Sequence, residues 1–510
     1  MLNMHALPIL ATASLAVGAW AEADYSGPLR PQLHFSPPEG FMNDPNGMFL
    51  DSDGVWHLYY QHNPTDIVAG NQHWGHATSE DLYHWENQPT ALAPNKGEGI
   101  FSGSIVVDVN NTSGFFPDQT DGVVALYTLH TDAEETQDVA YSTDGGYTFT
   151  KYEQNPVISI GSTQFRDPKV LWHAETQKWV MVIAYAQDLV LGFYTSPDLI
   201  NWTHASNYTQ GGIVGEQWEC PNLLQLPVDE TDELLHVLLI SVNPGAPLGG
   251  SITQYVTGTF NGTTFAPTDS DVKFTDFAMD NYAGQIFYGT PDNTEVSIAW
   301  ASNWDYAEEV PTGDLEGWRS AMSLPRQHSL KVLPGSGYTL ISSPYDMSPV
   351  KDAPLAEGLL EEGNIVVNYD DVPSGALYIE VSTTDIPETN LTGAIDFNFT
   401  SSVSGESLSG GISFGDSSQF WLNRKSIRGF KSEFYDPEFS TPISPFVDDV
   451  FNFSVVIDRS IIEVFLNGGE QSATSVFYPD EPLDRLELVA RDLDADISAS
   501  AEVWSLKGTW

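Results

Sequence analysis

The sequence predicts an all-β protein: a five-bladed β-propeller over residues 22–335, a linker at 336–362 and a β-sandwich over 363–510. Three observations predict it. Strand-like runs rich in Val, Leu and aromatics recur at Val55–Tyr60, Val123–Leu129, Trp179–Tyr185, Leu234–Ile240 and Val296–Ala301, spaced by roughly 55–70 residues. That spacing suits a blade of four antiparallel strands, and five copies suit five blades. A second signature often follows the first: Thr78–Trp85 resembles Tyr194–Trp202 and, more weakly, Tyr141–Phe149. A strand, a turn with Asp and then an aromatic is a hairpin signal. Thirdly, no long stretch carries helical periodicity; short alternating runs are separated by Gly, Pro, Asn and Asp. A two-sheet sandwich with coincidental spacing is the rival reading of the repeats.

Taken in order, the chain opens with a segment expected to direct export. Residues Ala6 to Ala19 are mostly small or apolar, and Ala19-Trp20-Ala21 fits a small-x-small cleavage site, so 1–21 reads as a signal peptide. The repeats then run to Arg326. Pro344, Pro349, Pro354 and the Glu361-Glu362 patch mark the linker. Beyond it, Phe451–Ile457 and Ile461–Leu466 flank a turn at Asp458-Arg459-Ser460, as expected of sandwich strands.

Composition narrows the function. With 70 acidic residues against 19 basic, the formal net charge is −51, which excludes nucleic acid and anionic membrane surfaces as partners. The substrate is therefore expected to be neutral or cationic, and the acidity suits a secreted protein working at low pH. Asn110, Asn111, Asn201, Asn207, Asn261, Asn390, Asn398 and Asn452 each begin an N-x-S/T sequon, which also fits an extracellular protein. Cys220 is the sole cysteine, so no intrachain disulfide forms. No apolar run after the leader approaches the roughly 20 residues needed to span a bilayer. The histidines lack metal-ligand spacing, no G-x-S-x-G elbow occurs, and neither metal nor cofactor is expected.

Three separated acidic stretches carry the chemistry. Asn43-Asp44-Pro45-Asn46-Gly47 is either a turn or a rigid seat for a nucleophile. Arg166-Asp167-Pro168 is either a surface ion pair or a second carboxylate aimed at the propeller axis, kept ionised by its arginine. Glu219, between Trp218 and Cys220-Pro221, is either an exposed strand residue or a desolvated general acid. Cys220 either tunes that acid or packs. One carboxylate to attack and one to donate a proton is the requirement for cleaving a sugar–oxygen bond.

These stretches, in this order, resemble glycoside hydrolase family 32, the invertases, inulinases and related fructosyltransferases. His34-Phe35-Ser36-Pro37 through Gly47 is similar to the family's opening motif, Phe165-Arg166-Asp167-Pro168 to its Arg-Asp-Pro motif, and Trp218-Glu219-Cys220-Pro221 to its Glu-Cys motif. Asp458 to Phe465 resembles its sandwich signature. The resemblance implies a propeller followed by a sandwich. It implies Asp44 as nucleophile, Glu219 as acid/base and Asp167 as transition-state stabiliser. It further implies substrate contacts from Asn43, Gln61, Trp74, Phe101, Ser102, Arg166 and Trp304. Phe41 stands where the family usually has Trp, which leaves transfer to sugar acceptors open. The expected activity is retaining hydrolysis of terminal β-fructofuranosyl units, which requires carboxyl groups about 5–5.5 Å apart. Sucrose is the leading substrate, with inulin or levan hydrolysis and fructosyl transfer as alternatives. An arabinan- or xylan-acting propeller glycosidase, or a non-catalytic sugar-binding propeller, stand further off. The sandwich has no visible catalytic task and is available as a contact between subunits.

Overall fold

Alternating, turn-punctuated runs pair with their sequence neighbours, so the first two-thirds of the chain becomes a succession of antiparallel sheets. A computed structural model of the chain describes residues 23–209, 214–229, 231, 233–291, 294–360, 363–387, 391–443 and 446–510. The leader at 1–21, the Glu361-Glu362 patch and Asn390 lie outside the described residues.

Five sheets form the blades. Their innermost strands are Gly40–Leu50, Gly99–Val107, Phe165–His173, Trp218–Pro227 and Tyr282–Ile286. Each packs against the next, and the fifth packs against the first, closing a ring. Closure is sealed by Trp318–Arg319, which pairs in parallel with Gly40 and Phe41 of blade 1. The five runs that repeat in the sequence are the second strands of the five blades: Trp56–Asn63, Val123–His130, Lys178–Tyr185, Leu234–Val242 and Glu295–Ala301. The recurring hairpin signature is the turn into the outer strand of blades 1, 2 and 3. In each, an Asp side chain accepts backbone N–H groups ahead: Asp81 from Tyr83 and His84, Asp144 from Thr148, and Asp198 from Ile200 and Asn201.

The C-terminal sandwich stacks two six-stranded sheets over an apolar core that includes Phe397, Phe399, Phe420 and Phe453. The expected linker at 336–362 is a correction. Gly337–Pro344 is the outer strand of blade 5, paired along its length with Arg326–Leu333, and Lys351–Leu359 is an edge strand of the sandwich paired with Ser498–Leu506. The prolines that suggested a break sit where a sheet tolerates them. Pro344 ends its strand, and Pro354 falls at a register shift in an edge strand.

The two domains share a buried polar seam. Asp458 accepts the backbone N–H groups of Gln32, Leu33 and His34, and its Oδ2 lies 2.9 Å from His34 Nδ1. Glu463 takes the other ring nitrogen of His34 at 3.2 Å, the Arg326 guanidinium and the Leu324 N–H. Burial opposes a charge on His34, but the two carboxylates raise it to about 9. The seam holds residues 32–34, directly upstream of the strand that carries Asp44.

Candidate active site

All five innermost strands break register at the same level. Opposite one residue of the second strand stand two of the first: Asn43-Asp44 against Gln61, Phe101-Ser102 against Thr128, and Asp167-Pro168 against Ile183. The same holds for Cys220-Pro221 against Ile240 and Ala283-Gly284 against Ala299. A bulge bends the strand and re-aims its side chains. Here five bulges turn toward one axis. Asp167, Cys220 and Ala283 take positive φ values of 66°, 43° and 52°, the kind of backbone strain that collects at functional sites.

The result is a cavity of about 270 Å³ lined by Asn43, Asp44, Gln61, Ala69, Gln72, Phe101, Ser102, Arg166, Asp167, Glu219, Asn243, Tyr282 and Trp304. The three separated carboxylates therefore meet. Asp44 accepts the Ser102 hydroxyl at 2.7 Å, the Asn43 amide at 3.2 Å and the Cys220 thiol at 3.3 Å. Asp167 accepts the Cys220 backbone N–H at 2.9 Å, while its own N–H donates to Thr128 Oγ1 in the neighbouring blade. Glu219 Oε1 accepts Arg166 Nε at 3.1 Å, Arg166 Nη2 at 3.0 Å and Gln217 Nε2 at 2.9 Å; Tyr282 donates its hydroxyl to Oε2.

Electrostatically the site is short of positive charge. Burial pushes the Asp44 carboxyl up, countered in part by the Ser102 hydroxyl and reinforced by the Glu219 charge. Burial drives Asp167 well above the usual carboxylate range, more than the Arg166 charge restores. Burial alone would lower Arg166, but Glu219, Asp167 and Glu135 around it raise it. Burial, and then the adjacent carboxylates, keep the Cys220 thiol protonated.

Three expectations change. Arg166 does not pair with Asp167; its guanidinium reaches across to Glu219 and back to Glu135. Cys220 directs both its N–H and its thiol to Asp167 and Asp44, not to Glu219. Trp74 is fully buried behind the pocket among Tyr59, Ile105 and Tyr127, its indole N–H donating to the Phe101 carbonyl at 3.0 Å. Strand alternation turns position 74 into the core. The other expected contacts, Asn43, Gln61, Phe101, Ser102, Arg166 and Trp304, all line the cavity. Phe41 is buried against Trp300 and Trp304 and does not reach it.

Sequence reasoning missed Glu135, Tyr282, Ala69, Gln72 and Asn243. Tyr282 was findable, because an innermost strand must precede the repeat strand at Val296. Glu135 gave no local signal, since it reaches the site from another blade.

Residues 34–344 match the N-terminal domain of glycosyl hydrolases family 32, and residues 363–505 match the C-terminal domain of the same family. The chain belongs to glycosyl hydrolase family 32. Like its relatives, it is a glycoside hydrolase with a propeller and a sandwich. An extracellular exo-inulinase of Meyerozyma guilliermondii is 41% identical over 498 residues, 94% of this chain and 95% of that protein. An invertase of Schizosaccharomyces pombe is 38% identical over 485 residues, 89% of this chain and 81% of that one. Among solved family 32 structures, a fructofuranosidase from Schwanniomyces occidentalis complexed with fructose superposes with a TM-score of 0.89 at 35% identity, covering 95% of this chain and all of that one.

Proposed function

We propose that this chain is a secreted, retaining β-fructofuranosidase that removes terminal fructosyl units, with sucrose as its leading substrate. The observation that carries the reading is the convergence of Asp44, Asp167 and Glu219 on one cavity, each with a different set of neighbours.

Asp44, steadied by Ser102 and Asn43, attacks the anomeric carbon. Glu219 gives its proton to the departing oxygen, which leaves with the electrons of the broken bond. The covalent fructosyl-enzyme is then opened by a water from which Glu219 withdraws a proton, so configuration is retained. Glu219 Oε1 is occupied by three N–H donors, which leaves Oε2, with Tyr282 as its one donor, to carry the exchanged proton. Asp167 is placed to hold ring hydroxyls and to strengthen that grip as positive charge develops.

The cavity is small for a ligand site, for which roughly 300–1,000 Å³ is usual, and this supports action on an end unit. Among the described residues its one lining cation is Arg166, already held by Glu135 and Glu219, which favours uncharged sugars over phosphorylated ones. Export is supported by the leader-like start and by the sequon positions. Asn110, Asn201, Asn207, Asn261 and Asn452 are exposed, whereas Asn111 and Asn398 are half-buried. The exo-inulinase relative favours longer fructans as a second substrate class.

Product analysis on sucrose, inulin and levan tests the reading. Fructose released with retained configuration is expected. Cleavage of an aryl arabinoside with none of these fructosides turned over would sink it.

A further inference from the structure

Glu135 opens the third strand of blade 2, Glu135–Ser142, and is almost fully buried. Its two oxygens stand 3.3 and 3.2 Å from Arg166 Nη1, and Oε2 also accepts the Phe165 N–H at 2.7 Å. The opposite edge of the same guanidinium, Nε and Nη2, holds Glu219 Oε1. Arg166 is thus clamped between a carboxylate in the cavity and another behind it.

The Phe165 N–H needs only a neutral acceptor, so an amide would serve there. The charge of Glu135 has a different use. A general acid must begin the reaction protonated, and a guanidinium on its oxygen favours the ionised form. A second carboxylate on that guanidinium divides its charge and relieves the effect.

We infer that Glu135 is a positioning residue that fixes Arg166 from behind and offsets its charge, so that Glu219 can hold the proton it delivers. This rests on the reading of Glu219 as the acid. The other titratable groups facing the Arg166–Glu219 pair are Asp44 from blade 1, Asp167 from blade 3, Cys220 from blade 4 and Tyr282 from blade 5. On the far side, His130 of blade 2 lies 3.5 Å from Glu135. None of these replaces a negative charge on the outer edge of the guanidinium.

The test is the pH dependence of kcat/KM in Glu135→Gln and Glu135→Asp, on sucrose and on an aryl β-fructofuranoside whose phenolate leaves unprotonated. In Glu135→Gln the alkaline limb on sucrose moves to lower pH by about one unit, from one charge removed at close range in a protein-like dielectric. KM changes little, and the loss on sucrose exceeds the loss on the aryl substrate by about tenfold, since only sucrose needs the acid. Glu135→Asp keeps the charge but draws it back by one carbon; its limb moves the same way by less, which preserves the test if the Gln variant does not fold. Limbs at the wild-type position, with equal losses on both substrates, overturn the inference and leave a structural role. A wild-type enzyme inactive on every fructoside would instead overturn the functional reading itself, and that is seen before any variant is made.

Discussion

At the mouth of the propeller, Glu219 holds the Arg166 guanidinium, while Asp44 and Asp167 are met by neutral donors. At the seam with the sandwich, Asp458 and Glu463 share His34, Arg326 and four backbone N–H groups. Both groups are buried except for the half-buried Glu219, yet their balance differs. At the seam every oxygen has a strong donor, and Arg326 with His34 holds Glu463 below its ordinary range despite burial. In the cavity, burial wins, and Asp44 and Asp167 are held above theirs. A site that must receive a ligand cannot saturate its own acceptors, so its charges strain the fold that displays them. The seam has no ligand to wait for.

Mutations should separate the two groups. Asp44→Ala is expected to lower kcat by about 10⁴-fold or more while the melting temperature stays level or rises; fructose release and thermal unfolding on one preparation check both halves. Near-native turnover would remove Asp44 from its role. Asp458→Ala should do the reverse. It leaves Nδ1 of a charged imidazole and three N–H groups without their acceptor, at a cost of about 3–5 kcal/mol, while kcat per folded molecule is kept. Urea unfolding measures this, and a loss under about 1 kcal/mol would contradict the contrast.

Neutralising a strained carboxylate should stabilise. Asp167→Asn can still accept the Cys220 N–H, and it is expected to gain about 1–2 kcal/mol at pH 7 while turnover collapses. Destabilisation by this variant would break the comparison at its root. The wild type supplies a check that needs no substitution, its pH dependence. His34 is raised to about 9, so its contribution is complete below its unfolded value, near 6.5, and fades as pH climbs through about 9. Asp44 and Asp167 are raised too, so theirs is complete below about 3.9 and lost as pH climbs through their folded values. The urea midpoint should therefore fall from pH 6 to pH 10, and a rising midpoint would refute the assignment.

The blades and the three acidic side chains were legible because each left a local mark. Second strands are apolar and evenly spaced, Asp44 and Asp167 each stand next to a proline, and Glu219 is one residue further from Pro221. Prolines inside strand-like runs point to bulges, so the five re-aimed strands were partly written there as well. What could not be read was direction. Nothing near Arg166 says that its guanidinium turns from Asp167 toward Glu219, and nothing near Trp74 says that its ring faces the core. Glu135 and the His34–Asp458–Glu463 seam join residues far apart in sequence, and the prolines at 344, 349 and 354 look the same in a linker as at a sheet edge.

That seam has a consequence for how the protein is made. Residues 32–34 and the strand that carries Asp44 leave the ribosome early, but the carboxylate that grips residues 32–34 is about 425 residues downstream. The run into blade 1 must wait, without that acceptor, until nearly the whole polypeptide has been synthesised. The last of the fold should then lock only after release of the finished chain, and a fragment ending before the sandwich should emerge with the backbone N–H groups of residues 32–34 unmet.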